Sequence, residues 1–223
     1  MILIYGTRMY GRVDGYRHQH AATVFAHLWF LPMFPVGSYW IVDGESRGHR
    51  IGLAGKSVAA GYLRVWGPLV AVGGVVAGHA GYLVAAAAAG LSAWSWTWTR
   101  ARAARREKRA LMLLVATGTA CDPMRMPRDL ALAMRRDVED RWASVAGERS
   151  PLDIARLGAS SAAQAATAHA LLRLVARTSP RAIAAEALAA ADQILDATAE
   201  VRELPGGPYR AALDLDQVDR RAR

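Results

Sequence analysis

The sequence predicts an α+β membrane protein built from a small N-terminal β module, a two-helix transmembrane hairpin and a C-terminal α-helical domain. Three observations carry that expectation. Residues 65–99 contain no Asp, Glu, Lys or Arg; tryptophans mark both ends of this run, Trp66 at one and Trp94, Trp96 and Trp98 at the other; and the excess positive charge lies on its two flanks. The expected segments are 1–56 for the β domain, 57–99 for the hairpin with arms near 63–79 and 82–99, 100–125 for a basic juxtamembrane linker, 126–204 for the helical domain and 205–223 for a flexible tail.

A continuous helix from Trp66 to Trp98 would extend about 48 Å at 1.5 Å per residue, too long for a hydrocarbon core of about 30 Å. Folding the run at His79-Ala80-Gly81-Tyr82 gives two arms and returns both tryptophan clusters to one interface, where amphipathic rings prefer to lie. The first helix can start early, at Ser57 to Tyr62, with Arg64 snorkelling into the headgroups. Charge supports the same topology. Of the net +9, residues 1–64 carry +4 and residues 100–109 carry +5, whereas from residue 110 onward fifteen arginines meet fifteen acids. Both flanks of the run are thus basic, and basic flanks face the cytoplasm. Two crossings satisfy that and one does not. Because anionic lipid accounts for the basic excess, nucleic acid is not an expected partner.

No secretory signal is expected at Met1 to Gly6, and no lipidation motif is expected at either end. Cys121 is the sole cysteine, compatible with a reducing compartment. Lys56 and Lys108 are the only lysines among 28 basic residues, which with the heavy use of alanine is the compositional habit expected of a GC-rich bacterial genome. The expected location is the bacterial inner membrane with both termini cytoplasmic.

A second uncharged run, His20 to Val42, is not expected to span. Pro32 and Pro35 would break a helix there, and Val24, Phe25, Trp29, Phe30, Tyr39, Trp40 and Ile41 favour extended structure. Strands are expected near 2–5, 10–14, 23–31, 37–42 and 49–53, with turns at Gly6, Gly15, Pro32 to Pro35 and Asp43-Gly44. A β domain of this size is marginal alone and is expected to lean on the bilayer surface or on the C-terminal helices.

Tyr5-Gly6-Thr7-Arg8, followed by the block Phe25-Ala26-His27-Leu28-Trp29-Phe30-Leu31-Pro32-Met33-Phe34-Pro35-Val36-Gly37-Ser38-Tyr39, resembles the head of small bacterial membrane proteins that begin with a zinc-ribbon-like β module and continue into transmembrane helices. The resemblance covers about 40 residues, and it implies paired zinc cysteines between the two blocks, which this chain lacks. It implies no catalytic activity. Histidines at 18, 20, 27 and 49 are the alternative ligands. Zinc requires three or four of them to converge tetrahedrally, and the simpler expectation is loop or interfacial histidines with no metal bound.

Beyond the membrane run, Leu111 to Thr117 is expected to form an amphipathic exit helix. Gly118 to Met126 breaks it. Pro127 opens a helix whose Leu130, Met134, Val138, Trp142 and Val145 recur along one face, ending at Gly147. Ser150-Pro151-Leu152-Asp153 carries cap, early proline and first-turn acid, and Ser179-Pro180 repeats that grammar. In the last helix Ile183, Ala187, Ala190, Ile194, Ala197 and Val201 form a heptad seam. It predicts an antiparallel pair with the helix at about Ala159 to Arg177, with homodimerisation as the alternative.

The pattern offers no recognisable catalytic, cofactor-binding or metal site, and no enzyme activity or cofactor is expected. Glycines 73, 74, 78, 81 and 90 lack a Gly-Lys-Ser/Thr phosphate loop; Gly74 to Gly78 has the small-residue spacing of close helix packing. His79 is expected at the hairpin tip. Asp137, Glu139 and Asp140 lie beside arginines on a solvated helix, and Cys121 lies in a loop where a thiol can be reactive. The expected function is a non-catalytic, cytoplasm-facing adaptor or scaffold with a protein partner. Alternatives are a regulator sensing anionic lipid through residues 100–109 and an accessory subunit of a membrane enzyme or transporter.

Overall fold

A computed structural model describes residues 5–43, 47–99, 104–146 and 149–198. Outside them lie residues 2–4 of the first expected strand, Gly44, Arg100, Arg102, Gly147, Val201 and the expected tail at 205–223. The chain is α+β and divides into two compact units, Met1–Arg102 and Ala103–Arg223.

The first unit opens with a four-stranded antiparallel meander, β1 (Tyr5–Tyr16), β2 (Gln19–Leu28), β3 (Leu31–Asp43) and β4 (Arg47–Ile51), in spatial order β1-β2-β3-β4. Among the described residues there are four strands where five were expected. Gly6 pairs with His27 inside β1 and makes no turn, and Pro32 and Pro35 lie within β3 opposite His27 and Phe25, where register shifts absorb their missing N–H groups. The β2–β3 turn is Trp29-Phe30, at φ 52° and 65°. No turn residue announces it, so period and composition alone could not find it.

Gly11 sits at a bulge in β1 between the Tyr10–Thr23 and Val13–Ala21 pairs, at φ 69°. The bulge admits the first helix, α1 (Gly55–Val76): a Cβ on Gly11 would fall 1.8 Å from the Ser57 carbonyl oxygen. A buried hydroxyl chain completes the joint. The Ala54 N–H donates to Ser38 Oγ (3.0 Å), Thr23 Oγ1 lies 2.8 Å from Ser38 Oγ and donates to Ser57 Oγ (2.8 Å), and Ser57 Oγ donates to the Gly11 carbonyl (2.7 Å). Thr23 gives its one proton to Ser57, so Ser38 must donate to Thr23, and every buried hydroxyl proton is used. Phe25 closes the core against Gly61, Tyr10 and Tyr62.

α1 turns through a 3₁₀ segment, His79–Gly81, into α2 (Tyr82–Ser95), which ends in a second 3₁₀ turn, Trp96–Thr99. The two helices are antiparallel. Gly74 meets Gly81 and Ala85, Gly67 meets Ser92, and Arg64 reaches Ser95. A Cβ on Gly81 would fall 2.0 Å from the Gly74 oxygen, whereas Gly78 has open space and serves the turn at φ 79°. Close packing therefore runs through Gly67, Gly74 and Gly81; of the expected Gly74 to Gly78 packing motif, Gly74 lets the arms approach and Gly78 does not take part. Among the described residues one helix, α1, is long and apolar enough to cross a membrane. At 14 residues, α2 spans about 21 Å, shorter than the expected 82–99 arm.

Among the described residues the second unit is helical: α3 (Ala104–Thr117), α4 (Arg128–Ala146), α5 (Pro151–Leu157), α6 (Ala162–Thr178) and α7 (Arg181–Ala197), with a 3₁₀ turn at Pro123–Arg125. α6 is its core and is buried almost throughout. Met134, Val138 and Trp142 of α4 are buried while Val145 is exposed. Ser150 and Asp153 form a reciprocal capping box. Ser179 instead ends α6 and Pro180 caps α7 without a side-chain bond, so the second Ser-Pro does not repeat the grammar. In α7 the buried set is Ala187, Ala190, Ala191, Ile194 and Leu195, with Ile183 exposed. Ala187, Ala190 and Ile194 belong to the expected seam, and α7 packs on α6, the partner expected for it; Ile183 and Ala197 fall outside the buried stripe, which Ala191 and Leu195 widen instead.

Candidate membrane-interface site

Arg64 is the hub of the first unit. Its Nη1 donates to the Arg12 carbonyl (2.8 Å) and its Nη2 to the Ser95 carbonyl (2.6 Å), while the guanidinium lies 4.7 Å from the Trp96 ring centroid. Ser95 ends α2, so Arg64 supplies a donor to a carbonyl the helix leaves open. The expected snorkelling arginine is thus a clasp that ties α2 to α1 and to the sheet. Beside it lies a cleft of about 620 Å³ lined by Tyr10, Arg12, His18, His20, Arg64 and Trp96, among others, with no carboxylate among the described residues of its lining. Such a lining suits an anion next to an aromatic face. Sequence reasoning singled out His18, His20 and Arg64 but not Arg12 or their meeting, since no local pattern links residues 12, 64 and 96.

The four candidate histidines do not converge. His18 is in the β1–β2 turn, His20 at the start of β2, His27 near its far end stacked on Phe30 (5.8 Å, 12°), and His49 in β4 opposite Trp40. Among the described residues no group of three or more His, Cys, Asp or Glu could hold a metal ion. The ring nitrogens of His49 are buried without partners among the described residues, and burial lowers its pKa to about 4.

In the second unit, Cys121 is fully buried, and burial reinforced by Asp122 pushes its thiol well above the usual range. It is an inert core residue rather than a reactive loop thiol. Next to it Arg173, 6% exposed, grips Asp122 through Nε (3.1 Å) and Nη2 (2.6 Å). Arg109 reaches Asp192 (3.2 Å), and Arg105 reaches Asp196 (2.9 Å). Two arginines of the basic 100–109 segment therefore face acids of their own unit.

His169 is fully buried, and its Nδ1 lies 2.8 Å from the Ala191 carbonyl. A carbonyl only accepts, so Nδ1 carries the proton and Nε2, which has no partner among the described residues, is a bare lone pair. Burial lowers its pKa to about 4, against the raising effect of the Ala191 bond. The folded pKa lies below the unfolded 6.5, so stability is complete above pH 6.5 and is lost as pH falls toward 4. The loss expected from this one group is about 3 kcal/mol by pH 4, of which about 2 kcal/mol falls between pH 7 and pH 5. Hydrogen exchange of α6 and α7 peptides at pH 7 and pH 5 measures it, and His169→Leu should flatten the difference.

No family model, curated protein or solved structure matches the chain.

Proposed function

We propose that this protein is a bacterial inner-membrane anchor and adaptor, in which α1 and α2 form a two-helix membrane hairpin and the β head and helical unit both face the cytoplasm. The supporting observation is the outward surface of the hairpin. Leu69, Val72, Val75, Val76, Leu83, Val84 and Leu91 are exposed on a segment without one charged residue, and the apolar window of α1 is only 17% buried. A surface of this kind asks for a nonpolar covering. Both tryptophan groups lie at the same end of the hairpin, since Arg64 binds Ser95, and interfacial rings suit that end. The first turns of α1 are docked on the sheet, so the arms beyond Arg64 are short for a full crossing and ask for a locally thinned bilayer. The resemblance to zinc-ribbon-headed membrane proteins agrees with this placement of the head, without its metal.

Accessibility labelling tests the topology. Ser57 is buried in the hydroxyl chain, so Leu53→Cys, at a site 64% exposed, and Ser144→Cys are the useful probes in a Cys121→Ala background. Both are expected to react from the cytoplasmic side only, and Ala80→Cys from the opposite side. Labelling of positions 53 and 144 from opposite faces would sink the hairpin. Partner binding is assigned to the helical unit, where Leu157 and Ile183 are exposed apolar side chains; Leu157→Asp with Ile183→Asp should release the proteins that co-purify from solubilised native membrane.

A second reading, regulation by anionic lipid, is favoured by the cleft at Arg12 and Arg64, whose described lining is basic and carries no carboxylate. It predicts that phosphatidylglycerol in a nanodisc raises the thermal midpoint of the protein and that Arg12→Gln reduces the gain.

A further inference from the structure

We propose that the β2–β3 turn is a second membrane-contacting element, an aromatic wedge that enters the headgroup–acyl boundary beside α1. This rests on the membrane hairpin proposed above and adds a contact that the hairpin does not require. The turn places Trp29 and Phe30, 46% and 50% exposed, at its tip, and Phe34, 69% exposed, just behind them. Both tip residues hold left-handed backbone, which bulky side chains adopt only under constraint. Strain of this kind marks a place where the surroundings fix a conformation for a use. Here Tyr10 Oη donates to the Phe30 carbonyl (2.5 Å), the His27 ring stacks on Phe30, and the Arg8 guanidinium stands 5.9 Å from its centroid. A sheet needing only to reverse direction would use Asn-Gly; this one displays two aromatic rings.

The position of the wedge along α1 identifies its surroundings. Ties between sheet and helix advance together: Ser57 meets Thr23, Tyr62 meets Phe25 edge to face and donates to the Met33 carbonyl (2.7 Å), and Trp66 Nε1 donates to the Pro32 carbonyl (3.1 Å). Trp66 already lies inside the charge-free run. The tip is two residues beyond Pro32, or about 7 Å further in strand geometry, so it runs alongside the lipid-facing part of α1. Aromatic rings favour that depth, and Arg8 above Phe30 supplies a cation for lipid phosphate. The wedge thereby fixes the head's orientation at the membrane surface, which a flexible tether would leave free.

Fluorophore-labelled single-cysteine variants of the full chain, in Cys121→Ala background and in liposomes of phosphatidylethanolamine and phosphatidylglycerol, test the wedge with nitroxide-bearing lipids. Val72→Cys reports the hairpin, Phe34→Cys the wedge and Leu53→Cys the water-exposed head. Quenching by shallow nitroxides is expected to be at least threefold stronger at position 34 than at 53, with position 72 quenched by deep nitroxides. If position 72 is quenched but 34 matches 53, the wedge is wrong and the hairpin stands; if 72 is not quenched, the hairpin itself falls. Protection of position 34 from both lipid and aqueous quenchers would show a protein covering the tip, a second copy or a partner, and would also overturn the wedge. The double variant W29N/F30G separates use from folding. It should keep or raise the thermal midpoint in detergent, because its residues suit the turn, while bringing quenching at position 34 down to the level of position 53. Unchanged quenching at position 34 would count against the wedge.

Discussion

Gly11→Ala is expected to destabilise the N-terminal unit by about 3 kcal/mol, combining a left-handed backbone penalty of about 1–2 kcal/mol with overpacking of similar size. The added methyl would lie 1.8 Å from the Ser57 oxygen and 2.9 Å from the Gly61 nitrogen. Both are backbone atoms of α1, so no rotamer change relieves the clash, and β1 must part from the helix. The buried proton chain ends on the Gly11 carbonyl, so separation also leaves the Ser57 hydroxyl without its acceptor. Thermal unfolding in detergent with hydrogen exchange of β1 and α1 peptides measures the effect. Gly55→Ala is the control, since a Cβ there meets nothing within 4 Å. Equal behaviour of the two variants would mean that Gly11 is not the point where sheet and helix join.

Arg173→Ala is expected to cost the C-terminal unit about 3 kcal/mol, the low end for breaking a buried ion pair, because Asp122 retains some exposure and a longer 3.9 Å approach to Arg109. Asp122 is also the acceptor that caps the 3₁₀ turn through the Met124 N–H (3.0 Å), so the pair couples that turn to α6. Asp122→Ala in the Arg173→Ala background should add little, since the unpaired carboxylate causes much of the cost. Arg105→Ala removes the exposed contact with Asp196 and is expected to cost less than about 1 kcal/mol. Urea unfolding followed by exchange of α6 amides ranks the three; a cost for Arg173→Ala no larger than for Arg105→Ala would contradict the buried network.

Much of the secondary structure was legible locally. The aromatic and β-branched run at 20–42 folds as β2 and β3, and Ser150 with Asp153 caps α5, because each depends on neighbours within a few residues. Turn placement in the head was not legible. Proline reads as a turn residue, yet Pro32 and Pro35 were absorbed by register shifts and two aromatics were forced into the turn. The seam of α7 was legible in its middle, where Ala187, Ala190 and Ile194 are buried against α6, the partner it pointed to; its outer residues Ile183 and Ala197 are exposed, because an alanine-rich helix presents several faces of equal hydrophobicity and the partner selects one. The candidate cleft had no local signal, since it depends on the approach of Arg12, Arg64 and Trp96 from distant parts of the chain.

By itself the sequence determined that a charge-free segment separates two basic flanks, that extended structure precedes it and that helices follow it. Composition and short-range periodicity set these features, because burial preference and backbone propensity belong to single residues and their near neighbours. Only the tertiary structure decided that α1 seats in a bulge opened by Gly11, that Arg64 clasps the end of α2, that Trp29 and Phe30 form the tip of the head, and that Cys121 is sealed beside an Asp122–Arg173 pair. Each of these joins residues far apart in the chain. Which carbonyl a guanidinium meets, or which backbone a missing methyl admits, is fixed by strand register and helix packing, quantities that no window of sequence contains.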